Sequence, residues 1–424
     1  MSGARLLRMV PASDIPAVRR SPVDAQTLAQ AAAIVERVRT MGEPALREYA
    51  ERFGDLEPGA PLIAERDELE RALHELDADT RAVLERTNAR IRAFAEAQRA
   101  SVREVEIPLP GGVGGQSVAP VERAGCYAPG GRYPLPSSVL MTASTARAAG
   151  VNDVLVASPR AGSITLAAAA VAGADRLLRV GGAHAIAAMA FGVPGVIEPC
   201  DAIAGPGNRW VTAAKQLVAG IVRIDMLAGP SELVVLADAQ AEAPTIAADL
   251  LAQAEHDDDA SAILVTTDAA LADRVDGELR EQLESLPTRA TAERALRNGF
   301  CVVVNDLDEG VEICNRLAPE HLELLVEDAD ALRPRLRHYG GLFVGASAAE
   351  VLGDYGIGPN HTLPTGGTAR SSGGLSVFDF LRVRTWLRID DAASAQEPVR
   401  DAVAMARLEG LEAHARSAER RLNR

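Results

Sequence analysis

The chain has 424 residues, with 47% hydrophobic and 24% charged residues, which is typical of a globular protein with two or more domains. Its formal net charge of −15 disfavours nucleic acid or an anionic membrane as a partner, because both attract basic surfaces. No apolar run approaches the roughly 20 residues of a membrane helix, and the N-terminus lacks the apolar core of a signal peptide. The four cysteines are scattered along the chain, which indicates reduced thiols. We therefore expect a cytoplasmic protein.

The order of predicted elements indicates an α/β fold. Residues 25–100 have apolar positions at helical spacing, and the segment SVREVEIPLPGG then alternates like a strand. From about residue 120, short apolar runs alternate with Ala-rich helical segments, which is typical of βα units on a parallel sheet. The runs are DVLVAS (153–158), RLLRVGG (176–182), ELVVLAD (232–238), AILVTTD (262–268), FCVVVND (300–306) and GLFVG (341–345). Two α/β halves are therefore predicted.

Two glycine-rich turns lie between strand-like and helix-like segments, CYAPGGRYPLPSS (126–138) and AGPGNRWVTAAK (204–215). Turns of this kind expose backbone N–H groups at a helix N-terminus, which favours binding of phosphate. Neither turn matches G-x-G-x-x-G, since Trp210 stands where the third glycine is required. By pattern alone, a nucleotide site and an ordinary tight turn remain alternatives.

A possible metal site begins at the end of a predicted helix, in APTIAADLLAQAEHDDDA. Gln253 and His256 are three residues apart and so lie on one helix face. Asp354 and His414 would complete a nitrogen and oxygen ligand set suited to zinc, with manganese as an alternative. No spacing rule joins these four residues, so the pattern does not by itself group them.

Glu320 and His321 form a candidate acid–base pair in the segment NRLAPEHLELLV. Pro319 should end the preceding helix, and HLELLV alternates like a strand, so the pair is predicted at a helix-to-strand break. A glutamate can act as a base toward water, and a histidine exchanges protons near neutral pH.

The last 80 residues combine a loop and a tail. The segment GDYGIGPNHTLPTGGTARSSGG (353–374) is rich in Gly, Pro, Thr and Ser, which indicates a functional loop, and it contains His361. A hairpin is predicted over FDFLRVRTWLRID, followed by a final helix that Gly410 loosens. Met405, Leu408 and Leu411 form an apolar stripe on that helix, so the tail should pack on a partner surface.

Several segments together resemble the histidinol dehydrogenase family over essentially the whole chain. They are CYAPGGRYPLPSSVLM, AGPGNRWVTAAK, DMLAGPSELVVLAD, DLLAQAEHD, LAPEHLEL, GDYGIGPNHTLPTGGTAR and LEGLEAHA. The resemblance implies an NAD-dependent oxidation of L-histidinol through L-histidinaldehyde to L-histidine, the last two steps of histidine biosynthesis, with one zinc ion per subunit and two NAD⁺ used in turn.

The resemblance also implies a role for particular residues. The implied zinc ligands are Gln253, His256, Asp354 and His414, the last supplied by the partner subunit of an intertwined homodimer. The implied catalytic pair is Glu320 and His321. The implied substrate contacts are Ser231, Gln253, His256, His321, Asp354, His361, Glu409 and His414, and the implied cofactor contacts are Tyr127, His184 and Asn208.

The implied architecture is two incomplete Rossmann-like domains, one inserted in the other, with N- and C-terminal arms that form the dimer. The expected boundaries are 1–20 for the N-terminal arm, 21–126 and 233–371 for a discontinuous zinc and substrate domain, 127–232 for the NAD-binding domain, and 372–424 for the C-terminal dimerisation arm. His184 departs from the family, which usually has Gln there, and Ile357 replaces a commonly smaller residue.

Two other functions remain as alternatives at this stage. A related NAD-dependent dehydrogenase could act on another small alcohol, and a metal-dependent hydrolase could use the same Glu, His and metal ligands without NAD⁺. Formation of NADH from histidinol separates these alternatives from the family's reaction.

Overall fold

The structure is a computed structural model, and it describes residues 5–15, 22–130 and 134–422. The described residues form three sheets with helices packed on them, and the predicted α/β class is confirmed. The predicted N-terminal arm, 1–20, lies partly outside the described residues. Within the described ranges, no helix combines the length and apolar character needed to cross a membrane.

The strands and helices are numbered in chain order. The strands are β1 (Arg8–Met9), β2 (Ile63–Glu65), β3 (Val105–Leu109), β4 (Gly112–Pro120), β5 (Arg123–Tyr127), β6 (Asp153–Ala157), β7 (Arg176–Leu178), β8 (Ala202–Ala204), β9 (Arg223–Ile224), β10 (Glu232–Ala237), β11 (Ser261–Thr266), β12 (Phe300–Val303), β13 (His321–Leu325), β14 (Gly341–Val344) and β15 (Leu381–Ile389). The helices are α1 (Ala25–Met41), α2 (Glu43–Arg52), α3 (Arg66–Glu75), α4 (Ala78–Ser101), α5 (Pro136–Ala149), α6 (Ser163–Val171), α7 (Gly182–Phe191), α8 (Arg209–Val218), α9 (Ala243–Ala254), α10 (Ala269–Ser285), α11 (Arg289–Ala295), α12 (Leu307–Leu317), α13 (Ala329–Leu332), α14 (Glu350–Asp354), α15 (Gln396–Leu408) and α16 (Glu412–Glu419).

The first large sheet has the strand order β1-β12-β11-β10-β13-β14, and its neighbouring strands are all parallel. Its central strand β10 is almost entirely apolar, as expected for a parallel strand that is covered on both faces. One face packs on α9, α10 and α11, and the opposite face packs on α12 and α13. Because β1 and β10 share this sheet, the chain that builds the second sheet is inserted between them.

The second large sheet has the order β2-β7-β6-β5-β8-β9 and is parallel except at β2. The chain leaves the central strand β5 toward β6 and β7, and then returns to the other side of β5 for β8 and β9. The reversal between β5 and β8 is a topological switch point, where α/β sheets bind ligands beyond the carboxyl ends of their strands.

The helices of residues 25–101 pack on this second sheet. Residues of α3 and α4 belong to its core on one face, together with α5 and α6, while α1 and α2 belong to the core on the other face, with α7 and α8. This packing differs from the predicted division, which grouped 21–126 with 233–371. Helical periodicity identifies the buried face of a helix, but it does not say which sheet that face covers.

The third sheet is small and antiparallel, with the order β15-β4-β3. The predicted hairpin in FDFLRVRTWLRID is wrong, because this segment forms a 3-10 turn (Val377–Phe380) followed by the single strand β15, whose partner is β4. Gly410, with φ +76°, separates α15 from α16, so the predicted last helix is a helical hairpin.

Candidate active site

The candidate acid–base pair lies at the amino edge of the first sheet. Helix α12 ends at Leu317, Ala318 adopts a left-handed conformation with φ +52°, and Pro319 prevents further helix. Glu320 follows, and His321 begins β13. The predicted break between helix and strand is therefore confirmed, and both side chains point into a buried cluster rather than into solvent.

Glu320 is held by backbone and hydroxyl donors. Its Oε2 atom accepts a hydrogen bond from the backbone N–H of Glu232 at 3.1 Å, and the Ser231 hydroxyl also contacts its carboxylate. Burial raises the pKa of Glu320 well above its usual value, and the neighbouring carboxylates of Glu232 and Asp354 act in the same direction. A carboxylate of this kind is a stronger base than an exposed glutamate.

His321 lies among three carboxylates. Its Nδ1 is 3.6 Å from Glu350 Oε1 and 3.8 Å from Glu320 Oε2, and its Nε2 is 3.8 Å from Asp354 Oδ1. These distances are too long for hydrogen bonds, and neither ring nitrogen has a partner among the described residues. Burial lowers the pKa of His321 to about 4, so the ring is neutral at pH 7 and has a lone pair that can accept a proton.

Three side chains form a candidate metal group beside this pair. His256, Glu350 and Asp354 each offer one ligand atom, and these atoms all lie within 4.8 Å of one another. His256 Nε2 is 3.4 Å from Asp354 Oδ2. Burial alone would raise the pKa of Asp354, but the hydrogen bond from His256 and the nearby imidazoles lower it overall, while the same hydrogen bond raises the pKa of His256.

Gln253 fits a ligand role for a different reason. It lies at the end of α9, its side chain is fully buried, and neither its amide oxygen nor its amide nitrogen has a hydrogen-bond partner in the described part of the chain. A buried amide without partners is costly, so a cation at the oxygen would satisfy it. Together with the imidazole and carboxylates, this donor set fits zinc.

His361 is oriented toward the same cluster. Its Nδ1–H donates to the backbone carbonyl of Asp354 at 2.7 Å, which leaves Nε2 as the acceptor. Burial lowers the pKa of His361 and thus favours the neutral ring. Of the predicted substrate contacts, the structure therefore brings Ser231, His361 and Asp354 to the Glu320–His321 pair.

Glu409 and His414 are placed differently. Both are exposed on the C-terminal helical hairpin, and His414 is not part of the His256, Glu350 and Asp354 group. The contribution of His414 to a site in a second subunit and the substrate contact of Glu409 stay predictions.

The predicted cofactor residues lie at the carboxyl edge of the second sheet. Tyr127 ends β5, and its buried hydroxyl accepts a hydrogen bond from the backbone N–H of Gly182 at 3.1 Å. Burial raises the pKa of Tyr127 to about 12. Asn208 caps α8, with its Oδ1 accepting from the N–H groups of Trp210 and Val211. Tyr127 and Asn208 thus flank the switch point between β5 and β8.

His184 lies in the first turn of α7 and is only 2% exposed. Its Nε2 is 2.9 Å from Asp55 Oδ2, and its ring packs against Tyr49 and Phe53. The ring therefore has structural partners, and its predicted contact with a cofactor stays a prediction.

The sequence analysis missed several residues that belong to these two regions. They are Glu350 and Glu323 in the first, and Asp55, Lys215 and Asp225 in the second. Lys215 is the last residue of the segment AGPGNRWVTAAK. Its Ala-rich helical surroundings could have indicated a buried ion pair, because a lysine on an apolar helix face needs a charged or polar partner. Glu323 had a comparable signal inside the apolar strand HLELLV.

Comparison with known proteins agrees with this arrangement. Residues 18–422 match the histidinol dehydrogenase family model. Histidinol dehydrogenase from Pseudomonas fluorescens (strain Pf0-1) is 44% identical, covering 92% of this chain and 89% of the relative, and that from Parasynechococcus marenigrum is 45% identical, covering 92% and 90%. The crystal structure of histidinol dehydrogenase from Elizabethkingia anophelis superposes with a TM-score of 0.91 at 30% identity, covering 99% of both chains. The resemblance is therefore confirmed, and the chain belongs to the histidinol dehydrogenase family of NAD-dependent oxidoreductases.

Proposed function

We propose that this protein oxidises L-histidinol through L-histidinaldehyde to L-histidine with two NAD⁺ in turn, the last two steps of histidine biosynthesis. The observation that carries the proposal is the buried Glu320–His321 pair beside the His256, Glu350 and Asp354 group. A base and a group of residues suited to hold a metal-binding substrate therefore lie within one cluster.

His321 is assigned to the alcohol half of the reaction. Loss of hydride from the carbinol carbon requires removal of the hydroxyl proton, and the neutral ring of His321 can accept that proton. The carboxylate of Asp354, 3.8 Å from Nε2, then stabilises the imidazolium that forms. NAD⁺, when bound, accepts the hydride.

Glu320 is assigned to the aldehyde half. An aldehyde must add water before a second hydride can leave, and a carboxylate with a raised pKa is suited to take a proton from that water. The N–H of Glu232 and the hydroxyl of Ser231 hold the carboxylate in place. This division gives adjacent residues different tasks.

The proposed zinc ligands are Gln253, His256 and Asp354, with the partner subunit's His414 as the fourth. The buried, unpartnered amide of Gln253 and the ligand distances around Asp354 support this choice. Zinc, when bound, supplies positive charge that orients the imidazole and amine of the substrate. Ser231, His361 and Glu409 are proposed to hold the remainder of the substrate.

The proposed NAD site lies at the switch point of the second sheet, within residues 127–232. Its support is the position of Tyr127 and Asn208 at the carboxyl ends of β5 and β8, where such sheets bind nucleotides. The fixed glycine turn Gly205–Asn208 lies between them.

The proposed assembly is a homodimer in which the C-terminal arm, 372–424, completes the partner's site. The small sheet supports this assembly, because one of its faces exposes Val105, Ile107, Leu109, Val383, Leu387 and Ile389. Met405, Leu408 and Leu411 on the helical hairpin are also exposed. Apolar surface of this extent favours a protein interface.

The four buried thiols support a reducing compartment, for which we propose the cytoplasm.

The test is NADH formation, followed by absorbance, with histidinol as substrate. The expected result is two NADH per histidinol, loss of activity after treatment with a chelator, and recovery with zinc. The chelated protein should also unfold at a lower temperature, since a ligand present at about 100 times its Kd stabilises the folded state by about 2.7 kcal/mol. Hydrolysis of an ester or amide without NADH formation would instead favour the hydrolase alternative.

A further inference from the structure

One carboxylate organises the first turn of α7, and it belongs to a loop distant in sequence. Asp55 Oδ2 accepts a hydrogen bond from the backbone N–H of Gly181 at 2.8 Å and lies 2.9 Å from His184 Nε2. The side chains of His184 and Asp55 are only 3% and 8% exposed. Because a carboxylate is an acceptor, Nε2 of His184 must carry a proton and donate it.

The hydrogen bond between His184 Nε2 and Asp55 leaves Nδ1 as the acceptor atom of the imidazole ring. Nδ1 of His184 is buried and has no hydrogen-bond partner among the described residues. It faces Gly182, since a Cβ atom added at that glycine would lie 3.3 Å from Nδ1. Gly182 in turn donates its N–H to the hydroxyl of Tyr127. The unpartnered nitrogen and the Tyr127 hydroxyl are therefore both neighbours of Gly182.

The backbone donors at this helix end are already used. Gly181 N–H is bound to Asp55 and Gly182 N–H is bound to Tyr127, so neither is available to a phosphate group. Asp55 also places a negative charge at the positive end of the α7 dipole. The polar atom of this turn that remains for a ligand is Nδ1 of His184. The hydrogen bond from Nε2 to Asp55 fixes the orientation of the ring and leaves the proton on Nε2.

We propose that Asp55 is a positioning residue for the cofactor site: it fixes the Gly181–Gly182 turn and holds His184 in the Nε2–H tautomer, so that Nδ1 is presented as an acceptor to NAD⁺. The inference rests on the proposed NAD site at the carboxyl edge of the second sheet. Where the family usually has Gln, the same arrangement is available, because an amide N–H can donate to Asp55 while the amide oxygen takes the position of Nδ1.

Four variants test the proposal through NAD⁺ affinity, measured by calorimetric titration of the full protein rather than by turnover. Asp55→Ala removes the acceptor for both donors and should weaken NAD⁺ binding about tenfold, which corresponds to about 1.4 kcal/mol. His184→Leu should weaken it similarly. Asp55→Asn keeps an acceptor oxygen and His184→Gln keeps both a donor and an acceptor, so these two conservative variants should stay within about twofold of the parent protein.

A second readout separates positioning from a purely structural role. Nitrogen NMR of the imidazole, assigned by the signals missing in His184→Gln, should show a protonated Nε2 and an unprotonated Nδ1 in the parent protein and a mixture of tautomers in Asp55→Ala. Histidinol affinity of Asp55→Ala should be unchanged.

The outcomes are distinct. If the parent protein binds NAD⁺ and Asp55→Ala binds it equally well, or loses only thermal stability, the positioning role is overturned while the proposed function stands. If the parent protein binds no NAD⁺, the proposed function and this inference fail together. If His184→Gln loses affinity as His184→Leu does, the acceptor role of Nδ1 is wrong.

Discussion

Lys215 and Asp225 form a buried ion pair whose disruption should destabilise the second sheet. Lys215 is 2% exposed, and its Nζ lies 2.5 Å from Asp225 Oδ1 and donates to the carbonyl of Gly205 at 2.8 Å. The second oxygen of Asp225 accepts the N–H of Gly205 at 2.8 Å. The pair thus holds both polar groups of Gly205, whose φ of +126° is accessible mainly to glycine.

Lys215→Met keeps an unbranched side chain of similar length and removes the charge. Asp225 then remains buried without its cation, and removal of one partner from a buried pair costs about 3–5 kcal/mol. In Lys215→Met combined with Asp225→Asn, no charge is left behind, while the amide oxygen can still accept from Gly205. The double variant should therefore recover most of the loss, leaving a cost of about 1–2 kcal/mol from the lost hydrogen bonds.

The assay is urea unfolding followed by tryptophan fluorescence in a Trp386→Phe background, so that Trp210 on α8 reports on this region. Arg92→Met is the matched control, because Arg92 pairs with Glu96 on the surface, with side chains 57% and 53% exposed, and such pairs contribute about 0–1 kcal/mol. A loss below about 1 kcal/mol in Lys215→Met, or a double variant no more stable than the single one, would refute the reasoning.

Three further predictions concern the active site and the thiols. Glu320→Gln should spare oxidation of histidinol more than oxidation of histidinaldehyde, whereas His321→Ala should damage both, and equal losses in the two half-reactions would contradict the division of roles. An inactive His256→Ala chain mixed with an inactive His414→Ala chain should regain activity, because a crossed dimer contains one site with all ligands; no recovery after demonstrated subunit exchange would exclude shared sites. Burial raises the pKa of Cys126, Cys301 and Cys314 to about 12, so a thiol reagent at pH 8 should label none of them until urea is added.

Local sequence patterns predicted the structural features that depend only on residues close together in the chain. The break at Pro319 and the strand after it were predicted because proline and alternation act within a few positions. The placement of Gln253 at the end of α9 followed from helical spacing in the same way, whereas His256, predicted on the same helix face, lies two residues beyond the helix. These features required no knowledge of how the elements pack.

Contacts between distant elements were not predictable from those patterns. Glu350 lies four residues before Asp354 on α14, and the two carboxylates reach His256 only because α14 packs near the end of α9. Asp55 reaches His184 across the packing of α1 and α2 on α7, which helical periodicity does not specify. Family resemblance supplied the grouping of the metal ligands, but it did not supply Glu350 or Asp55.

The charge balance of the cluster gives an independent physical reason to expect a cation there. Burial raises the pKa of both Glu320 and Glu350 well above the usual value, and Asp354 contributes a further raising effect to each, so ionisation of these carboxylates together is unfavourable in the chain alone. His321 offsets little of this charge, since burial keeps it neutral at pH 7. A divalent cation held by His256 and Asp354 would supply the positive charge that allows Glu320 to ionise and act as a base. Metal binding and activation of the base would then be coupled, because the cation that holds the substrate would also stabilise the ionised form of the group that activates water.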